Sequence, residues 1–174
     1  PFLFGGCALG AAIAALEETS GRPVIWATAQ YLSYAHPPSV LDIDVTLAVE
    51  GRSITQGRVV GHVADREILT VNAALGSREL DEAGVWVERP EVPPPEECPR
   101  RPPRLPGVES IQNRIDLRLA NARSWEELEG NPMPGGRSQL WARMPDLLDL
   151  SSGASLAILG DYVPFGIGQA LGRD

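Results

Sequence analysis

The sequence predicts an α+β fold in which one long helix of small residues is wrapped by a curved antiparallel sheet. Three observations carry that expectation. Residues 4–19 place Ala8, Leu9, Ala12, Ile13 and Leu16 at helical spacing. Gly10, Ala11, Ala14 and Ala15 make the opposite face almost as apolar, so the helix is expected to be buried on most sides. Four segments rich in Val, Ile, Thr, Tyr and Trp follow it, at 23–34, 40–50, 53–64 and 67–75. Within the second of these, Ile43, Val45, Leu47 and Val49 alternate with Asp42, Asp44 and Thr46, giving one buried and one wet face. Small side chains on the helix are what allow a curved sheet to close around it.

Taken in order, Pro1 to Phe4 open abruptly with aromatic residues, as though the sequence began inside a longer polypeptide. The helix is expected to run about four turns and to stop at Ser20-Gly21, with Pro23 forbidding continuation. Glu17 and Glu18 lie at its C-terminal end, where acidic charge opposes the helix dipole. The first strand breaks at His36-Pro37-Pro38-Ser39, and Glu50-Gly51-Arg52 and Ala64-Asp65-Arg66 are tight connections, so the four strands are expected as an antiparallel meander. From 76 to 107 the composition shifts to Pro, Glu and Arg, typical of an exposed connector. Strands are expected at 108–123 and 137–144 around a polar loop at 124–136. Residues 151–159 resume small-residue helical character. The two halves form a weak internal repeat whose second copy is expected to stop before its own meander. The expected organisation is a first unit at 1–77, a Pro-rich linker at 78–107 and a partial second unit at 108–174.

Composition narrows the function. With 174 residues and 43% apolar content the chain can bury a sizeable core. A net charge of −8 disfavours a nucleic-acid surface, which needs clustered cations to replace counterions. All fifteen cations are Arg. No apolar run approaches the roughly 20 residues of a membrane helix, and the opening segment has no basic leader. Cys7 and Cys98 have neither metal spacing nor a disulfide-framework count, so no metal or cofactor is expected and a reducing cytoplasm is the expected location.

Several short motifs in order resemble the acyl-CoA thioesterase II family. In the first half these are Phe4-Gly5-Gly6 at the helix start, Tyr31-Leu32 at a strand end, Glu50-Gly51-Arg52-Ser53 and Arg58-Val59. In the second half they are Leu140-Trp141-Ala142-Arg143-Met144-Pro145 and Leu159-Gly160-Asp161-Tyr162. The resemblance implies two fused hotdog folds, the second incomplete in this chain. It also implies hydrolysis of fatty acyl-CoA to free acid and coenzyme A. Members of the family orient the attacking water with an Asp in the second hotdog helix, a Thr or Ser and a Gln; Asp161 matches the first, and the other two are expected beyond residue 174. Cys7 stands where the family has a Gln after the paired glycines.

The residues support that chemistry on their own terms. A thioester is already activated, so hydrolysis needs an oriented water, an acceptor for its proton and donors for the developing oxyanion. Asp161 is the candidate catalytic residue, with Leu159, Tyr162, Val163 and Phe165 expected to desolvate it. Gly5 and Gly6 are the candidate substrate-binding residues, since backbone N–H groups at a helix N-terminus serve an oxyanion when close approach is possible. Glycine there equally lets a neighbouring element pack closely. His36 and His62 lack nearby partners and read as structural, Cys7 as a small hydrophobe and 165–168 as a flexible turn. Gln169 is not a substitute for the family's amide. Arg100, Arg101 and Arg104 could meet coenzyme A phosphates, although in a Pro-rich segment arginines mostly keep the chain soluble. The rival reading is a noncatalytic hotdog that binds acyl-CoA or serves assembly. A dehydratase on the same fold would want a His facing an acid, and neither histidine sits at a helix start. Association into a homo-oligomer is expected in either case, through sheet or hotdog pairing.

Overall fold

The computed structural model describes residues 2–77, 84–102, 106–144, 152–162 and 165–172. The chain divides into two compact units, one formed by 1–83 with 149–161 and the other by 84–148 with 162–174.

In the first unit helix α1 (Gly5–Ser20) lies against a four-stranded sheet of β1 (Val24–Tyr31), β2 (Asp42–Glu50), β3 (Ile54–Val63) and β4 (Arg66–Gly76). Every pairing is antiparallel. The strand order is β1-β4-β3-β2, so only β2 to β4 form a meander. The expected simple meander is corrected at β1, which pairs with β4, its Tyr31 opposite Leu69, leaving the 32–41 connection to reach the opposite edge. Ala8, Ala12 and Leu16 of α1 form the core with Val59, Leu69, Val71, Ala73 and Leu75 of the sheet. The fit is close because β3 carries Gly57: a Cβ there would lie 2.5 Å from Leu16 Cδ2. Ala11, Ala14 and Glu18 are exposed, so α1 keeps one solvent-facing stripe and is less enclosed than its composition predicts.

Helix α1 ends as expected. Gly21 takes the left-handed conformation, φ 64°, and its N–H returns to Glu17 O at 2.9 Å. Glu17 has a use that the dipole argument misses, because its carboxylate accepts the Val24 N–H at 2.9 Å and ties the helix end to the start of β1. Helix α3 (Gly153–Gly160) also belongs to this unit and packs along α1.

The second unit contains a single helical turn, α2 (Ile111–Arg114), then β5 (Asp116–Asn121), which pairs antiparallel with β6 (Gln139–Arg143). The strand expected over 108–123 therefore begins only after Ile111, which belongs to the helical turn; the true alternation is that of Ile115, Leu117 and Leu119, all buried. Within the proline-rich segment, the main chain runs beside β5. Arg101 N–H donates to Leu117 O and Leu119 N–H to Pro99 O, each at 2.9 Å. Helix α4 (Phe165–Leu171) replaces the flexible turn expected at 165–168. It is held by Gln169, which is fully buried: its Oε1 accepts from Arg123 N–H and its Nε2 donates to Arg123 O, both at 2.8 Å.

Candidate active site

The first amides of a helix have no partners within it. In α1 the residue before the first turn, Phe4, offers no side-chain cap. The vacancy is answered from elsewhere in the sequence: Gly6 N–H donates to Asp161 Oδ2 at 2.8 Å. Asp161 terminates α3 (Gly153–Gly160), its own N–H bonded to Ala157 O at 3.3 Å. Its carboxylate thus sits at the positive end of the α1 dipole.

Glycine makes this approach possible. A Cβ on Gly6 would lie 2.8 Å from Ala157 O and 2.9 Å from Ile158 Cα, and one on Gly10 would lie 3.0 Å from Ala154 O. At Gly6 real Cβ atoms do not tolerate such contacts with backbone, and at Gly10 α3 would have to give by a few tenths of an ångström, so the Gly6/Gly10 face of α1 is shaped for α3. At Gly5 the space a Cβ would fill lies 3.0 Å from Asp161 Oδ2 and 3.1 Å from Tyr31 Cζ. Tyr31 arrives from the end of β1, where Ala27, Ala29 and Tyr31 alternate along the strand and both alanines pack on the core.

The electrostatics follow from that convergence. Burial raises the pKa of Tyr31, and the nearby Asp161 charge raises it further. The same two causes, in the same order, raise the pKa of Cys7, so its thiol is held protonated and is a poor nucleophile. Gly5 N–H has no hydrogen-bond partner among the described residues, which leaves it as the open donor at the start of α1. A carboxylate, an adjacent free amide and an aromatic wall can together orient a water and receive an oxyanion.

The three residues singled out from sequence, Gly5, Gly6 and Asp161, are brought together although 155 positions separate Gly6 from Asp161. Tyr31 is the member that sequence reasoning missed as a site residue; its place in the Ala27/Ala29/Tyr31 alternation was the available signal. The remaining candidates lie in other environments. His62 Nε2 pairs with Asp44 at 3.0 Å and Nδ1 bonds to Ala64 O at 2.8 Å. The bond to Ala64 raises its pKa, burial opposes this, and Asp44 adds to the rise. The His36 ring stands near Tyr34, 6.4 Å between centroids. Cys98 is buried, with its thiol directed at Pro94 O, 3.3 Å away. Arg100 pairs with Asp116 at 3.0 Å, and the Arg101 guanidinium lies over the Tyr162 ring. Arg104 and Val163 lie outside the described residues. Among the described residues no three His, Cys, Asp or Glu side chains cluster to hold a metal ion, and no helix is long and apolar enough to cross a membrane.

A helix of small residues packed against a curved antiparallel sheet is the arrangement of a hotdog fold. Solved structures agree. A candidate thioesterase from Novosphingobium aromaticivorans superposes with a TM-score of 0.81 at 34% identity, covering 97% of this chain and 64% of that one. An acyl-CoA thioesterase II from Mycobacterium marinum matches with a TM-score of 0.70 at 21% identity over 95% of this chain and 62% of that one. A hotdog-fold protein of unknown function from Alicyclobacillus acidocaldarius matches with a TM-score of 0.72 at 19% identity, covering 95% and 61%. Proteins named as thioesterases are thus among the structural neighbours of this chain, one of them of the acyl-CoA thioesterase II type. The chain spans less than two thirds of the length of each of these three structures. No protein-family model matches the chain, and neither does any curated protein sequence.

Proposed function

We propose that this chain carries the water-orienting carboxylate of an acyl-CoA thioesterase, which converts fatty acyl-CoA to free acid and coenzyme A. The observation that supports it most is the Gly6–Asp161 hydrogen bond, which fixes a carboxylate at the N-terminus of α1 beside the open Gly5 amide. In this scheme the second carboxylate oxygen of Asp161 accepts a proton from water as the water oxygen bonds to the thioester carbonyl carbon. The resulting oxyanion is met by Gly5 N–H, supported by the α1 dipole. Collapse of the tetrahedral species breaks the C–S bond, and the sulfur leaves with the proton that Asp161 had taken. Gly6 acts by holding Asp161, since its own amide is engaged there. Tyr31 forms one wall of the site beside Gly5 and Asp161.

The assignment of 1–77 and 108–174 to two hotdog units joined by a linker is part of the proposal; the small-residue character shared by α1 and α3 supports it. A cytoplasmic location is consistent with the two unpaired thiols, and association through sheet edges is expected. Replacing Asp161 with Asn in the protein of full natural length tests the reading: hydrolysis is expected to fall at least about a hundredfold, in line with loss of a positioned proton acceptor. Acyl-CoA binding without any hydrolysis by the unaltered protein would favour a carrier or assembly role instead.

A further inference from the structure

The second compact unit contains a cleft of about 410 Å³. Val92, Leu140, Trp141 and Tyr162 give it an apolar, aromatic lining, and Arg89 stands among them. Its size falls in the range of roughly 300–1,000 Å³ usual for small-molecule sites. Trp141 is fixed, because its indole N–H donates to Pro93 O at 2.9 Å. The Arg89 guanidinium lies over the Trp141 ring, 5.6 Å from its centroid. A guanidinium stacked on a ring keeps its in-plane N–H donors available, in a fork that matches a carboxylate.

The arginine–carboxylate pairs described in this unit converge mainly on Asp116. Arg100, Arg118 and Arg143 all reach Asp116, and Arg114 reaches Glu109. Among the described residues no carboxylate pairs with Arg89, even though the chain carries a net charge of −8. An arginine that no described carboxylate meets, lying over a tryptophan at an apolar aromatic cleft, is complementary to a ligand with an apolar body and one negative charge. A nucleotide fits less well, since its several charges would meet a lining that is mostly hydrocarbon.

We propose that this cleft binds a small apolar carboxylic acid, its carboxylate on Arg89 and its hydrocarbon body against Val92, Leu140, Trp141 and Tyr162. The acid released from a thioester is of this class, but the proposal does not rest on hydrolysis. Calorimetric titration of the full chain with octanoate, and with octanol as the neutral match, tests it. Octanoate is expected to bind at one site at least tenfold more tightly than octanol. Arg89→Ala, at an exposed position, is expected to abolish that preference while octanol binding stays unchanged. The same titration on Asp161→Asn is expected to match the unaltered protein. The proposal is overturned if octanoate fails to bind, if octanol binds equally well, if Arg89→Ala keeps the preference, or if Asp161→Asn removes octanoate binding.

Discussion

Gly6 and Asp161, 155 positions apart, are joined by a 2.8 Å hydrogen bond that caps α1 with the carboxylate ending α3. One side chain thereby satisfies an orphan amide, fixes the approach of two helices and places a negative charge beside Tyr31 and Cys7. That charge is measurable through Cys7. Burial and then Asp161 raise the thiol pKa, so Asp161→Asn removes the second cause and leaves the first. Alkylation of Cys7 followed by mass spectrometry across pH should show its midpoint moving down in Asp161→Asn while remaining above that of a free cysteine. An unmoved midpoint would mean that the two groups do not feel each other.

Close packing at Gly6 predicts a stability effect distinct from catalysis. An added methyl meets backbone atoms of α3 at 2.8 and 2.9 Å, and neither can step aside alone. Gly6→Ala is expected to destabilise the fold by about 1–3 kcal/mol, the usual cost of overpacking. Ala14→Gln, on the exposed stripe of the same helix, should stay within about 0.5 kcal/mol. Urea unfolding of both variants distinguishes a specific helix contact from general intolerance in α1.

Asp116 makes the second unit sensitive to acid. It is 9% exposed, and burial alone would raise its pKa. The hydrogen bond from Arg143 and the charges of Arg118 and Arg100 outweigh that effect and hold the carboxyl below its ordinary value. Since the folded pKa lies below the unfolded one, the stabilisation is complete above the unfolded value. It is lost as pH falls through the folded one, a window that opens below about pH 4. Unfolding free energies measured from pH 5 down to 3 should fall more steeply in the unaltered protein than in Asp116→Asn.

Gln169 predicts a purely structural loss. Both ends of its amide serve the Arg123 backbone, and its own carbonyl accepts from Met133 N–H at 2.7 Å. Gln169→Leu leaves the part-buried Arg123 N–H and C=O without those bonds, at about 0.5–1.5 kcal/mol for each bond lost. Thermal unfolding should register that loss, while thioester hydrolysis per folded molecule should be unchanged.

The helix-and-sheet architecture was legible because it rests on local patterns: small residues at helical spacing in α1, β-branched runs in β1 to β4, and glycine at the α1 stop. Strand order was not, because pairing β1 with β4 is a nonlocal choice that leaves no period in the sequence. Around the candidate site, the residue types of Gly5, Gly6 and Asp161 drew attention, but the hydrogen bond that unites them depends on α3 packing along α1. Tyr31 was visible only as part of a motif, since a tyrosine at a strand end has many uses until the strand's facing is known. The glycines at 166 and 168 favour a turn locally, whereas α4 forms there with Gln169 tying it to the Arg123 backbone against their weak helix propensity.

The most direct measurement is release of coenzyme A thiol from short-, medium- and long-chain acyl-CoAs by the protein at its full natural length, alongside its Asp161→Asn variant. Turnover by the unaltered protein with a loss of at least about a hundredfold in the variant is the predicted result. Equal turnover by both proteins, or acyl-CoA binding with no hydrolysis by either, would contradict a water-orienting role for Asp161.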